Sequence, residues 1–508
     1  MKQHARLSVI AGVFLCGVVG WAVAGYAGTA GGLALGAAML VIPWRRQPLW
    51  SWAAVYLRRN RAVETVEPIT VVNDRCGGGV RVHGDVAVTA LHLLGKPRRP
   101  TLLTGSTSMQ TDNTLDIAEL TPLLRQSLGL TIESLSVISS GARRRALGDY
   151  PRVYDSLIGT TPYAGRRHTW MIIRIRPLAN GEALQCRDSV GTAALAAAQR
   201  ISAALRCRGI RAKVATATDM LELERRLAGG SLDPAHRHWH SVRGDSGWYT
   251  TYGHRPADLT SEVLAQAWSL PADGITQNVT IFSDGSATAT VTVHTAQPPK
   301  SAPSVRLQTL PGEQAQAVAA NLCGPRPQIR GLSRGPLPRS LVVPVGASGV
   351  LLGRTPSGDR LLLPLADPGE QTRIHLAAED AIAKRIIIRT AAAGERVTVH
   401  SRDRYRWDSV RMPNIVVTED PRPAPGTTVS VVDGTVVPAP RPSTVISVYP
   451  PNTPADSAAE VLIAQTHPHL IRVTSAGRSD EVEVEFFRAE NRYAADSVGL
   501  PADLVAVE

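Results

Sequence analysis

Residues 7–42 read LSVIAGVFLCGVVGWAVAGYAGTAGGLALGAAMLVI, 36 positions without an Asp, Glu, Lys or Arg. Lys2 and Arg6 precede the run; Trp44, Arg45 and Arg46 follow it, then Arg58, Arg59 and Arg61. A bilayer core is ~30 Å thick, and one helical crossing takes about 20 apolar residues, ~17 at the least. The run is too long for one ordinary crossing and just long enough for two short ones. Gly25-Tyr26-Ala27-Gly28-Thr29 supplies a tight turn. The reading is therefore two transmembrane helices, roughly 7–24 and 28–42, joined by a very short hairpin.

The flanking charges orient it. No acidic residue occurs before Glu64, while seven Lys and Arg flank the run. The excess of positive charge places both ends, and the rest of the chain, on the cytoplasmic side. Trp21, Trp44, Trp50 and Trp52 form an interfacial aromatic belt. Pro48 opens a helix on the membrane surface, with Leu49, Trp52, Ala53 and Tyr56 as its apolar stripe and Arg58, Arg59 and Arg61 meeting lipid phosphates. A signal peptide cleaved after Ala22-Val23-Ala24 is the competing reading. Cleavage there would leave a second apolar run at the new N-terminus. Five unpaired-looking cysteines (Cys16, Cys76, Cys186, Cys207, Cys323) also fit a reducing compartment better than export.

The net charge of +12 resembles a nucleic-acid signal, but seven of those units fall in the first 61 residues. Arg outnumbers Lys 50 to 5 without any dense basic run interleaved with aromatics after Arg61. Nucleic acid is not an expected partner.

Beyond the membrane run, strand-like and helix-like segments alternate. Strands are expected at 63–72, 80–88, 132–139, 169–176, 211–216, 248–252, 275–283 and 287–295, the last two joined by an Asp284-Gly285 turn. Helices are expected at 116–128, from an Asp188 cap to about Gly209, and from Asp219 to Leu227. A stretch rich in Pro, Gly and Arg, 324–339, marks a boundary. Further strands are expected at 342–352, 361–365, 374–377, 396–401, 414–418, 427–432, 444–448, 470–473 and 481–487, with one helix ending at Gly394.

Four motifs could carry chemistry. Cys76-Gly77-Gly78-Gly79 could cradle phosphate, but no Lys-Ser/Thr pair follows, and a turn is the better reading. Arg143-Arg144-Arg145 reads as a solvated loop. His236, His238 and His240 alternate in a way that would face one side of an extended segment, yet no Cys or carboxylate ligand accompanies them. Ala378 to Arg385 places Lys384 where a P-loop keeps its lysine. It lacks the glycines at Ala378 and Ala383 and has Arg385 where magnesium needs Ser or Thr. No Gly-x-Ser-x-Gly elbow and no His-Glu-x-x-His is expected. The expectation is no catalytic, cofactor-binding or metal-binding residue and no cofactor.

The chain resembles the EccE family of type VII (ESX) secretion systems. The likeness rests on the paired N-terminal apolar segments with Trp44-Arg45-Arg46, and on Leu128-Gly129-Leu130, Arg166-Arg167-His168-Thr169-Trp170, Ala204-Leu205 with Gly209-Ile210, and Thr250-Thr251-Tyr252, over roughly 1–295. The resemblance implies a structural, non-catalytic inner-membrane subunit beside EccB-, EccC- and EccD-like subunits. The EccC-like one would supply an FtsK-like ATPase, and secreted WXG- and PE/PPE-type proteins would be met at most indirectly. The expected fold is α/β (α+β) cytoplasmic domains behind two transmembrane helices. Its parts are a hairpin with a basic juxtamembrane segment (1–62), a core domain (63–300), a linker (301–340) and a second α/β or β-rich domain (341–508), either an unrelated strand–helix–strand unit or a degenerate P-loop-like fold. The competing function is a membrane-anchored cytoplasmic enzyme of transferase or nucleotide-binding type.

Overall fold

The computed structural model describes residues 2–41, 43–44, 47–48, 52, 55–56, 66–73, 76–144, 148–185, 187–304, 306–403, 405–434 and 436–494. Helix α1, Lys2–Val41, is interrupted at Ala24 (φ −144°) and Gly25 (φ 59°, ψ −138°). Only glycine adopts that second conformation cheaply. At the break the helix folds back on itself. A Cβ added to Gly20 would overlap the Gly28 carbonyl, and one on Gly32 would overlap that of Cys16. One on Gly17 would come within 2.9 Å of Leu33 Cδ2, and one on Gly36 within 3.1 Å of Val13 Cα. These pairings run antiparallel, so the small residues let the two backbones touch where 13–20 faces 28–36. Just past the break, Thr29 Oγ1 donates to the Gly25 carbonyl at 3.0 Å.

Two twelve-stranded sheets form the body. The first runs, edge to edge, Val242–Gly244, Gly247–His254, Ser286–Thr295, Gly274–Phe282, Ile132–Ala142, Arg166–Ile175, Val86–Gly95, Gly77–His83, Ile69–Val72, with antiparallel neighbours. Successive strand residues face opposite sides, and both sides are covered. Met171, Ile173 and Ile175 meet the alanine face of α3 (Val190–Cys207), with α2 reserved for Tyr150–Ile158. Trp170 and Ile172 join the core beneath α4 (Ala217–Ala228). Both covering helices start at reciprocal capping boxes, Ser189 with Thr192 and Thr216 with Asp219. The expected caps at Asp188 and Asp219 therefore move: Ser189 caps the first helix, and Asp219 is the third helical residue of the second. The helix expected over 116–128 is a 3-10 helix, Ile117–Leu124, capped by Asp116, with Pro122 inside it removing a backbone donor.

The second sheet has a parallel half: Ile415–Thr418, Val397–His400, Val429–Asp433, Thr444–Tyr449, Thr372–Ala377, Val461–His467. Helix α5, Asp380–Ala392, makes the crossover from Thr372–Ala377 to Val397–His400, and every residue from Ile382 to Ala392 is buried. The antiparallel half continues through Leu470–Ser475, Arg478–Glu483, Val350–Arg354 and Arg360–Leu363. It closes with a hairpin from far upstream, Thr101–Thr104 and Ser108–Thr111. Exchange runs the other way too. Val342–Pro344 pairs with Thr114–Asp116, and Leu341, Val343 and Val345 sit in the core of the first sheet. Tyr150, Tyr154, Ile158 and Tyr163 sit in the core of the second. The strand Val461–His467 lies where no element is expected from sequence.

Candidate functional site: anchor, seat and inter-sheet cleft

The outward face of α1 is apolar and bare. Phe14, Leu15, Val18, Val19, Val23 and Leu35 are all exposed. Within the body, residues of this kind are mostly interior, so this surface calls for a non-aqueous surround. Trp21 and Tyr26 meet edge to face beside the break, with ring centroids 4.8 Å apart.

Beyond the hairpin, Pro43–Trp44 pairs with Gln47–Pro48. Leu49, Ala53, Arg45, Arg46, Arg58, Arg59 and Arg61, which carry the expected surface helix and its charges, lie outside the described residues. Trp52 and Val55 are described, and they lie against the body. Val55 is buried against Gly312, and the Trp52 and Trp239 rings lie 6.1 Å apart. Gly312 N donates to the Trp239 carbonyl at 2.6 Å. A Cβ at Gly312 would come within 2.8 Å of the Trp239 ring, so glycine keeps the seat open. His236, His238 and His240 flank Trp239 but do not converge. His238 lies against Trp248 at 4.9 Å, and His236 Nδ1 is 3.4 Å from the Gly230 carbonyl. Among the described residues, no group of three or more His, Cys, Asp or Glu is placed to hold a metal ion.

The P-loop-like stretch is a different object from a phosphate loop. Lys384 lies in the second turn of α5, 1% exposed, among core residues. The helix N-terminus, where a phosphate would sit, carries Glu379 and Asp380 instead. Asp380 takes the fork of Arg406, whose Nε lies 3.0 Å from each carboxylate oxygen. Arg406 also donates to Asp433 at 2.6 Å, as does Trp407 Nε1 at 2.7 Å. Two carboxylates at this position would repel a nucleotide phosphate. Gly77, Gly78 and Gly79 lie in a strand rather than a turn. A Cβ on Gly78 would strike Leu195 and Val214 at 2.7 Å, and one on Gly79 would strike Met220 at 2.7 Å. The triplet serves close packing of α3 and α4.

Arg143 is buried, contrary to the solvated loop expected there. It pairs with Asp155 at 2.9 Å and donates to the carbonyls of Thr161, Trp268 and Gly159. Arg144 reaches the same Asp155, while Arg145 lies outside the described residues.

One motif of the sequence needs the structure to be judged, and one feature is invisible in the sequence. Gly331-Leu332-Ser333-Arg334-Gly335 matches the Gly-x-Ser-x-Gly spacing. Ser333 lies exposed in an irregular segment with no strand-to-helix turn, so it is no nucleophile elbow. The other is a cavity of about 120 Å³ between the sheets, lined by His92, Lys96, Arg167, His168, Asp367 and Glu395 among others. Arg167 Nη1 donates to the Gly346 carbonyl at 2.9 Å, and its guanidinium lies 4.2 Å from the Trp268 ring. Burial pushes Arg167 down to about 9. His92 stacks on Trp170 at 4.2 Å; burial brings its pKa to about 4, and burial with the nearby Arg166 charge brings His168 to about 3. Only the far-flung pairing of strands brings these side chains together.

Comparison with known proteins decides the family. Residues 163–254 match a family model described as a type VII ESX secretion system translocon, EccE. The ESX-2 secretion system protein EccE2 of Mycobacterium tuberculosis (strain CDC 1551) is 47% identical, over 97% of this chain and 96% of the relative. The chain belongs to the EccE family. The ESX-1 secretion system protein EccE1 of M. tuberculosis is 27% identical over 72% of this EccE chain and 75% of its own. The ESX-5 protein EccE5 of Mycobacterium marinum is 28% identical over 33% and 43%. As an EccE protein this is a membrane-associated component of type VII (ESX) secretion, with a sheet-rich α/β body behind an apolar N-terminal helix. The stretch matched by the EccE model holds Arg167 and His168 of the cleft and Trp239 of the seat.

Proposed function

We propose that this EccE chain is a structural, non-catalytic subunit of an inner-membrane type VII secretion complex, one that helps assemble and stabilise the machinery around an FtsK-like ATPase. The observation that carries the reading is the glycine-packed hairpin in α1, whose outer face is bare and apolar while Trp52 and Val55 beyond it seat on Trp239 and Gly312. In this reading the two arms cross the bilayer as two transmembrane helices, and both termini and the body lie in the cytoplasm. Each arm is short for a ~30 Å core, which local thinning of the bilayer accommodates. The partners are the lipid bilayer and EccB-, EccC- and EccD-like membrane subunits; secreted WXG- and PE/PPE-type proteins are met indirectly, and nucleic acid is not a partner. The body divides into units 63–300 and 341–508 about the 301–340 segment, with strands exchanged between them. The chain carries no catalytic residue, metal or cofactor of its own. A nucleotide-binding enzyme finds little footing, because Lys384 is spent in the core and Asp380 holds the helix start.

Topology is tested with single cysteines at positions 3, 27 and 62 in a cysteine-free background, labelled with a membrane-impermeant maleimide. The proposal expects positions 3 and 62 to react only from the cytoplasmic side and position 27, exposed just past the break, only from the other. Labelling of positions 3 and 62 from opposite sides would overturn the two-crossing reading.

A further inference from the structure

The cavity between the two sheets has a charge imbalance that the structural role does not use. Its carboxylates already have partners: Asp367 binds Arg211 at 2.6 Å, and Glu395 lies 3.5 Å from Arg166 and accepts from Thr428. Its cations are not all matched. Arg167 is 5% exposed, and among the described residues it has no carboxylate partner. Its contacts to Gly346 and Trp268 engage Nη1 and the flat face of the guanidinium. Nε and Nη2, the side edge of the same group, are buried without a hydrogen-bond partner. Lys96 lines the same cavity, again with no ion pair among the described residues.

That arrangement has a specific chemistry. The Nε–Nη2 edge of arginine presents two parallel N–H groups whose spacing matches two oxygens of one oxyanion. A buried guanidinium with that edge empty is costly, and an anion seated on it removes the cost. The volume of about 120 Å³ accommodates one tetrahedral oxyanion with a few waters. We propose that the inter-sheet cavity is a binding site for a small oxyanion of the phosphate class, inorganic phosphate or the terminal phosphate of a small metabolite, gripped by the side edge of Arg167 with Lys96 lining the same cavity. The site draws residues from both sheets, Arg167 and Lys96 from one side and the loops at Asp367, Thr428 and Ser443 from the other. A bound oxyanion therefore ties the two sheets together and stiffens the body. It acts as a structural ligand, since no nucleophile is placed against it.

The test is thermal unfolding of the purified full-length chain in detergent, with inorganic phosphate titrated to 10 mM, about the level at which a millimolar site saturates, against sodium chloride at matched ionic strength. Phosphate-31 NMR linewidths are read in parallel. The expected result is a saturable rise in Tm of about 1–2 °C with phosphate alone, broadening of the phosphate resonance, and loss of both in Arg167→Met. Where Arg167→Met does not fold, Lys96→Ala serves, at a half-buried position, with apparent affinity for phosphate expected to fall about tenfold, the size of one screened charge contact. A response to phosphate no larger than to chloride would overturn the proposal, as would a full response in either variant. ATP as a second probe separates the sources: competition with phosphate assigns a metabolite's terminal phosphate to the site, and failure to compete restricts it to the free ion.

Discussion

Glu490 is fully buried and accepts two hydrogen bonds from Arg389, at 2.8 and 2.7 Å, and one from Tyr150 at 2.6 Å. The trio ties α5, α2 and the C-terminal segment into one core. Glu490→Gln leaves the Arg389 guanidinium buried without its counter-charge, and a loss of roughly 3–5 kcal/mol is expected, measured by chemical denaturation. Burial lowers three histidines together: His92 and His254 to about 4 and His168 to about 3. Folded, they stay neutral at pH 5; unfolded, they take up protons below about pH 6.5. Their contribution to stability is full above about pH 6.5 and falls as pH drops toward 4, each adding a slope of about 1.4 kcal/mol per pH unit. A Tm that stays level from pH 8 to 7 and falls steeply from 6 to 4.5 is the expected profile, and a level Tm down to pH 4.5 would refute it. Such residues are hardly legible in sequence. Arg143 and Arg167 look like any exposed arginine, because the carbonyls that bind them, at Gly159, Trp268 and Gly346, come from elsewhere in the fold.

Elements were far more legible than residues. The hairpin follows from a charge-free run with Gly25 at its centre, and the two long helices of the first sheet follow from apolar spacing. Their starts differ from the sequence reading because Ser189 and Thr216 outcompete neighbouring aspartates for the cap. Pro122 turned an expected α-helix into a 3-10 helix. The hairpin makes a direct prediction. An ideal Cβ on Gly36 lies 3.4 Å from Val13 Cβ, close to the spacing a disulfide spans. In one straight helix those positions would be roughly 35 Å apart. Val13→Cys with Gly36→Cys, in a Cys16→Ser background, is expected to form an intramolecular disulfide in membranes. Only intermolecular bonds, or none, would refute the hairpin.

At the scale of the molecule, order along the chain conceals how the sheets share their parts. The 101–111 hairpin completes a sheet built mostly from residues after 350, and 341–345 completes the core of the other. No local pattern encodes such long-range pairing: the strand at 342–344 could be read but its partner could not, and the 101–111 hairpin lies where no strand is expected from sequence. Expressed separately, 66–340 and 341–494 are each expected to aggregate, and co-expressed they are expected to copurify. Independent folding of both pieces would contradict the exchange.

The central claim, a structural subunit held in a secretion complex by its hairpin, is tested most directly by isolating tagged full-length protein in mild detergent beside a chain beginning at Ala62. The account predicts that the full-length chain brings down a large membrane assembly containing an FtsK-like ATPase, and that the shortened chain does not. Recovery of the protein alone in both preparations would contradict it.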